Sequence, residues 1–103
     1  MAKYVLAYTG GRMAETDEER QAVMAAWGAF LGGLGESLVD AGNPFGPSAV
    51  VKADGGNGSA PSSLTGYSII SAGSLAEATE KAKGAPVLDG GGSVEVYETI
   101  EVM

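Results

Sequence analysis

The chain opens on a run, residues 3–9, whose two alternating sets are both apolar: Tyr4, Leu6 and Tyr8 on one side, Val5 and Ala7 on the other. A strand oily on both faces belongs in the middle of a sheet that is covered on both sides. Gly10-Gly11 ends it. From Thr16 the period changes. Thr16-Asp17-Glu18-Glu19 has the form of a capping box, in which the Thr hydroxyl accepts from the Glu19 N–H and Glu19 reaches back. Its acids suit the positive end of a helix dipole. Val23, Trp27, Phe30, Leu31, Leu34 and Leu38 follow at helical spacing, so one apolar stripe predicts a helix running to about Ala41. Gly42 would be its left-handed cap, with Pro44 soon after. Inside such a helix Gly28, Gly32, Gly33 and Gly35 each cost ~1 kcal/mol relative to Ala, and burial of the stripe must outweigh them.

Pro44-Phe45-Gly46-Pro47 reads as a turn, and residues 48–53, carrying Val50 and Val51, read as a second strand. Residues 54–61 are loop by composition. Residues 64–72, with Tyr67, Ile69 and Ile70, read as a third strand forming a hairpin with the second. Ser74-Leu75-Ala76-Glu77 is another capping box. It opens a short helix to about Lys83 with Leu75, Ala78 and Ala82 inward, Gly84 as its cap and Pro86 as its stop. After Gly90-Gly91-Gly92 comes a last strand over residues 93–103, where Val94, Val96, Ile100 and Val102 alternate with Glu95, Tyr97, Thr99 and Glu101. The order strand, long helix, strand, strand, short helix, strand is the split β-α-β arrangement of ferredoxin-like folds. The expectation is therefore one α+β domain over residues 1–103, a four-stranded antiparallel sheet with two helices on one face. The other face lacks cover, and Tyr4, Leu6 or their neighbours on that side would need it. A second copy is the simplest cover, because two-fold dimers are the commonest oligomers.

Composition narrows the chemistry. The chain has 103 residues, 45% apolar and 18% charged, as in ordinary globular domains. Six basic residues against 13 acidic ones leave a net charge of −7. The basic residues form no stripe, which argues against nucleic-acid partners and against an anionic membrane surface. There is no Cys, so no disulfide framework, thiol nucleophile or thiolate metal site. There is no His either, which removes the commonest general base and metal ligand. No cofactor or metal is implied. The opening apolar run is too short for a signal region, and no stretch approaches the ~20 apolar residues of a membrane span; a cytoplasmic location is the expectation.

Tyr67, Glu95 and Tyr97 are the first site candidates. Alternation puts Glu95 and Tyr97 on the side of the last strand away from the helices, and Tyr67 can share that side. Two phenols and a carboxylate in a partly dry pocket could bind a small polar ligand, and the carboxylate could act as a base if desolvated. Equally, the tyrosines read as dimer-face aromatics with their tips in water, and Glu95 as a solvated strand residue. Asp40, the only acid between Leu38 and Pro47, reads as a site carboxylate or as a polar residue at a helix end, where the dipole does not favour it. Glu15, Asp17, Glu18 and Glu19 lack EF-hand spacing and read as a helix start. The glycine runs at 54–58 and 90–92 lack the strand–loop–helix order of a phosphate cradle and read as turns. Trp27 reads as core.

Several segments resemble the YCII-related (DGPF-like) family, within the wider dimeric α/β-barrel group. They are KYVLAYTGG, AVMAAWGAFLGGLGESLVDAGNPFG, GYSIISAGSLAEATEKAKGAP and LDGGGSVEVYE, with a variable DGGNGS loop between the second and third. The most specific parts are Gly66-Tyr67 followed by Ser74-Leu75, and Gly91-Gly92-Ser93-Val94-Glu95-Val96-Tyr97-Glu98; both are structural signatures. The resemblance implies a ferredoxin-like homodimer whose sheets face each other over a pocket. Some such relatives are lyases or dehalogenating enzymes of small cyclic compounds, and others carry a proposed His/Asp pair. This chain has no His, so that pair does not form here. The Asp-Gly-Pro-Phe signature of one branch is also missing: Asp54-Gly55 is followed by Gly56 and Asn57. The readings that follow are a small homodimeric protein holding a small organic ligand between its sheets, a lyase- or isomerase-type enzyme on a small cyclic substrate, and a structural or regulatory partner of another protein.

Overall fold

A computed structural model describes residues 2–11, 14–58 and 62–102. The elements in chain order are β1 (Ala2–Thr9), α1 (Asp17–Leu34), β2 (Leu38–Asp40), β3 (Val50–Val51), β4 (Asn57–Gly58), β5 (Leu64–Ala72), α2 (Leu75–Ala82) and β6 (Ser93–Glu98), with short 3-10 turns at Gly35–Ser37 and Pro86–Gly90. The main sheet has the order β2-β5-β1-β6 and every neighbouring pair is antiparallel. Two helices and this sheet make an α+β domain that fits the general ferredoxin-like arrangement. A separate two-stranded sheet joins β3 to β4.

β1 sits centrally, as its two-sided apolar pattern requires. Tyr4, Leu6 and Tyr8 turn towards the helices and are buried with Ile70, Ala72, Ala78, Ala82, Ala85 and Val87. Trp27, Phe30 and Leu34 of α1 pack against that core. Trp27 meets Tyr8 edge-on at 4.9 Å between ring centroids and Phe30 at 5.9 Å. The Tyr8 hydroxyl donates to Ser68 Oγ at 2.9 Å, and Ser68 Oγ donates to the Ala41 carbonyl at 2.7 Å. This chain of bonds ties β1, β5 and the segment after β2 together, and among the described residues no buried hydroxyl is left unpaired.

Both expected caps form. Thr16 Oγ1 accepts from the Glu19 N–H at 3.1 Å and Ser74 Oγ from the Glu77 N–H at 3.1 Å. Glu19 and Glu77 reach one residue further back than a strict capping box, to the N–H groups of Glu15 and Gly73.

The boundaries differ from the periodicity in three places. First, α1 stops at Leu34 instead of Ala41, because Gly35 adopts φ 55°, ψ −127°, outside the helical region. Leu38 keeps its inward position, but on a strand. Second, the edge strand beside β5 is Leu38–Asp40, not residues 48–53; of the latter only Val50–Val51 is extended, and it pairs locally with Asn57–Gly58. Gly42 is accordingly not a helix cap. It lies against β5, where a Cβ would stand 1.7 Å from the Tyr67 carbonyl oxygen, and its φ is 74°. Third, β6 ends at Glu98. Residues 59–61 of the expected loop and Met103 of the expected last strand lie outside the described residues. Val23, expected on the buried stripe, is exposed, and α1 contains no fully buried residue.

Candidate functional site

Alternation along β1 and β5 builds the face turned away from the helices. It carries Lys3, Val5, Ala7 and Thr9, not Tyr4 and Leu6, which the helices cover. Strand register then places the sequence candidates in two adjacent rows. In one row Tyr67 and Glu95 stand on either side of Ala7. In the next, Ile69 and Tyr97 stand on either side of Val5, and Asp40 pairs with Ile69 from β2. All four candidates, Asp40, Tyr67, Glu95 and Tyr97, therefore share one face. Their placement corrects the reading of Asp40 as a helix-end residue: it is on a strand.

The four side chains form two phenol–carboxylate pairs flanking an apolar floor. On one flank the Tyr67 hydroxyl lies 3.5 Å from Asp40 Oδ2, a long contact, while Asp40 Oδ1 accepts from the Gly42 N–H at 2.8 Å. On the other, the Tyr97 hydroxyl donates to Glu95 Oε1. Between them Val5 and Ile69 are half-buried, and Ala7, shadowed by its neighbours, is buried. Glu95, Tyr97 and Asp40 are exposed, with Tyr97 at 54%. The hydrogen bond to Glu95 and its negative charge hold the Tyr97 phenol above its ordinary value near 10, since ionisation would set two anions side by side.

Sequence reasoning did not single out Phe45. Its ring stacks on Tyr67 at 5.8 Å between centroids, 19° from parallel. The approach depends on a bridge between Pro44 and Gly66 and on the Phe45 N–H donating to the Thr65 carbonyl. A Pro-Phe-Gly-Pro turn signals a bend but not which strand it folds onto. The two-residue period separated Val5 and Ala7 from Tyr4 and Leu6, but which set lies beside Tyr67 and Glu95 is fixed only by the strand register.

Two grooves lie elsewhere. One, about 570 Å³, runs between α1 and the Pro86–Gly90 turn past Phe30, Leu34, Lys81 and Asp89. The other, about 370 Å³, lies beside Phe45, Ser48, Ser63 and Leu64. Neither is lined by the four candidates. Among the described residues no group of Asp and Glu side chains is placed to hold a metal ion, and no helix is long and apolar enough to cross a membrane. Comparison of the sequence with protein-family models and with curated proteins finds no match.

Proposed function

We propose that the protein is a homodimer of the YCII-related, dimeric α/β-barrel kind, in which the open sheet faces of two copies close over one another and hold a small organic ligand between them. The observation that carries this reading is the open face itself. Val5, Ala7 and Ile69 form an apolar floor, with the pairs Asp40–Tyr67 and Glu95–Tyr97 at its flanks and Lys3 and Thr9 at its two ends along β1. An apolar floor with few convergent polar groups is the general make-up of a small-molecule site. Sheets stacked face to face lie ~10 Å apart, and closing them would remove Tyr97 and Ile69 from water.

A catalytic version, a lyase- or isomerase-type reaction on a small cyclic substrate, draws on one observation. The Glu95–Tyr97 contact is a carboxylate–phenol pair through which a proton can move.

Light scattering tests the dimer. The expected mass is two chains at low micromolar concentration, falling to one for Ile69→Asp, which would bury an unpaired charge between the sheets. A wild-type chain that stays single at high micromolar concentration overturns the reading. For the ligand, native mass spectrometry of the purified protein should show a small molecule retained by the wild type and lost with Tyr67→Phe/Tyr97→Phe.

A further inference from the structure

β6 is the outermost strand on one side of the sheet. Its register with β1 sets Tyr97 opposite Val5 and Glu95 opposite Ala7, and beyond it the Thr99 N–H donates to the Lys3 carbonyl at 2.9 Å. Opposed pairs in an antiparallel ladder alternate between exchanging both hydrogen bonds and exchanging none. Residues 93, 95, 97 and 99 therefore turn their backbone groups towards β1. Residues 94, 96 and 98 turn theirs outward, where no strand among the described residues receives them. The apolar alternation also outlasts the ladder: Ile100 and Val102 are 79% and 85% exposed.

We infer that this edge is a docking surface for the same edge of a second copy, paired antiparallel about a two-fold axis at Tyr97. That register sets Val94 opposite Ile100, Val96 opposite Glu98, Glu95 opposite Thr99 and Ser93 opposite Glu101, so no carboxylate faces another. With the strand continued through Ile100, residues 94, 96, 98 and 100 become the bonded pairs. Charge discriminates against the neighbouring register centred on Glu98. It would set Glu98 against itself and Glu95 against Glu101, and like charges directly opposite are destabilising. Centring on Val96 would leave Ile100 opposite Gly92, with no side chain to cover it. The chosen register gives Ile100, largely exposed in the single chain, a partner in Val94, and gives the self-complementary patch that a two-fold interface requires. A ladder this short is weak alone, so covalent capture suits it better than a mass measurement. The contact does not depend on the face-to-face dimer.

The chain has no Cys, so any disulfide belongs to introduced residues. Tyr97 lies at a non-bonded pair on the axis, where Cα atoms approach to ~4.5 Å, inside the range a disulfide spans. Sheets merely stacked face to face keep those atoms ~10 Å apart, beyond that range. Under mild oxidation Tyr97→Cys is expected to convert to a reducible two-chain species, and so is Glu95→Cys/Thr99→Cys. Glu95→Cys alone should not, because its two copies are offset by four residues, ~13 Å. Adding Ile100→Asp to Tyr97→Cys should slow the conversion several-fold. Cross-linking of Tyr97→Cys no faster than of Glu95→Cys overturns the edge contact. Should Tyr97→Cys fail to fold by circular dichroism, the double variant decides in the same way. A face-to-face dimer by light scattering without this cross-link would reject the edge contact alone.

Discussion

On one face of the sheet Tyr4, Leu6, Tyr8 and Ile70 lie beneath two helices, with Leu6 and Ile70 fully out of water. On the other, Val5, Ala7, Tyr67 and Ile69 come from the same strands, one residue along; among the described residues no helix lies over them, and Phe45 from the loop after β2 stacks on Tyr67. The helix face satisfies its polar atoms internally: Tyr8 bonds Ser68, and Ser68 bonds Ala41. The open face sets Tyr67–Asp40 and Tyr97–Glu95 at its flanks, within reach of solvent, with Lys3 and Thr9 at its ends. A one-residue step along a strand thus separates positions that hold the fold from positions free to recognise something, since successive side chains point to opposite faces.

Removing side chains at matched positions gives the largest contrast. Leu6→Ala should cost about 2–5 kcal/mol, the range for truncating a fully buried leucine. Val5→Ala, next to it on the open face, should cost about 1 kcal/mol in the single chain, because a half-buried valine removes little area from water. Chemical denaturation measures both, at a concentration below dimerisation. Equal losses would mean that the open face is covered within one chain.

A smaller contrast lies in the hydroxyls. Tyr8→Phe removes a buried hydrogen bond to Ser68 and should cost ~1 kcal/mol. Tyr67→Phe loses only a long contact to an exposed Asp40 and should leave the midpoint of the denaturation curve unchanged.

The smallest effect is alkaline. Burial raises the Tyr8 phenol, partly offset by its bond to Ser68, and Glu95 raises that of Tyr97. In both cases the folded state prefers the neutral phenol more than the unfolded chain does. That preference contributes stability below the ordinary tyrosine value near 10, and the contribution is lost as pH rises through the higher folded values. Tyr8→Phe and Tyr97→Phe should each flatten the alkaline fall in stability and remove a late component from the phenolate absorbance titration. A late component that survives both substitutions belongs to Tyr4, whose phenol is raised by desolvation and by its contact with Glu98.

Local signals in the sequence were enough to determine β1, the starts of both helices, β5, α2 and the start of β6. Each rests on short-range physics: a two-residue period, a hydroxyl three residues before an N–H, a glycine that ends a run. The same parity put Glu95 and Tyr97 on one side of β6 and left one face of the sheet without helices. Local pattern could not end α1. Leu34 and Leu38 fit helical spacing as well as they fit a helix followed by a strand, and Gly35 resolves the choice only by its backbone angles.

Which segment becomes the edge strand was likewise open. Val50–Val51 has the stronger strand composition, yet Leu38–Asp40 takes the place beside β5, where Gly42 lets the following loop pack against the Tyr67 carbonyl. That tertiary choice carried Asp40 to Tyr67, and the Pro44–Gly66 bridge carried Phe45 there too. Neighbours along the chain are set by local geometry; neighbours across a sheet are set by which strands find each other, and only the assembled layer decides that.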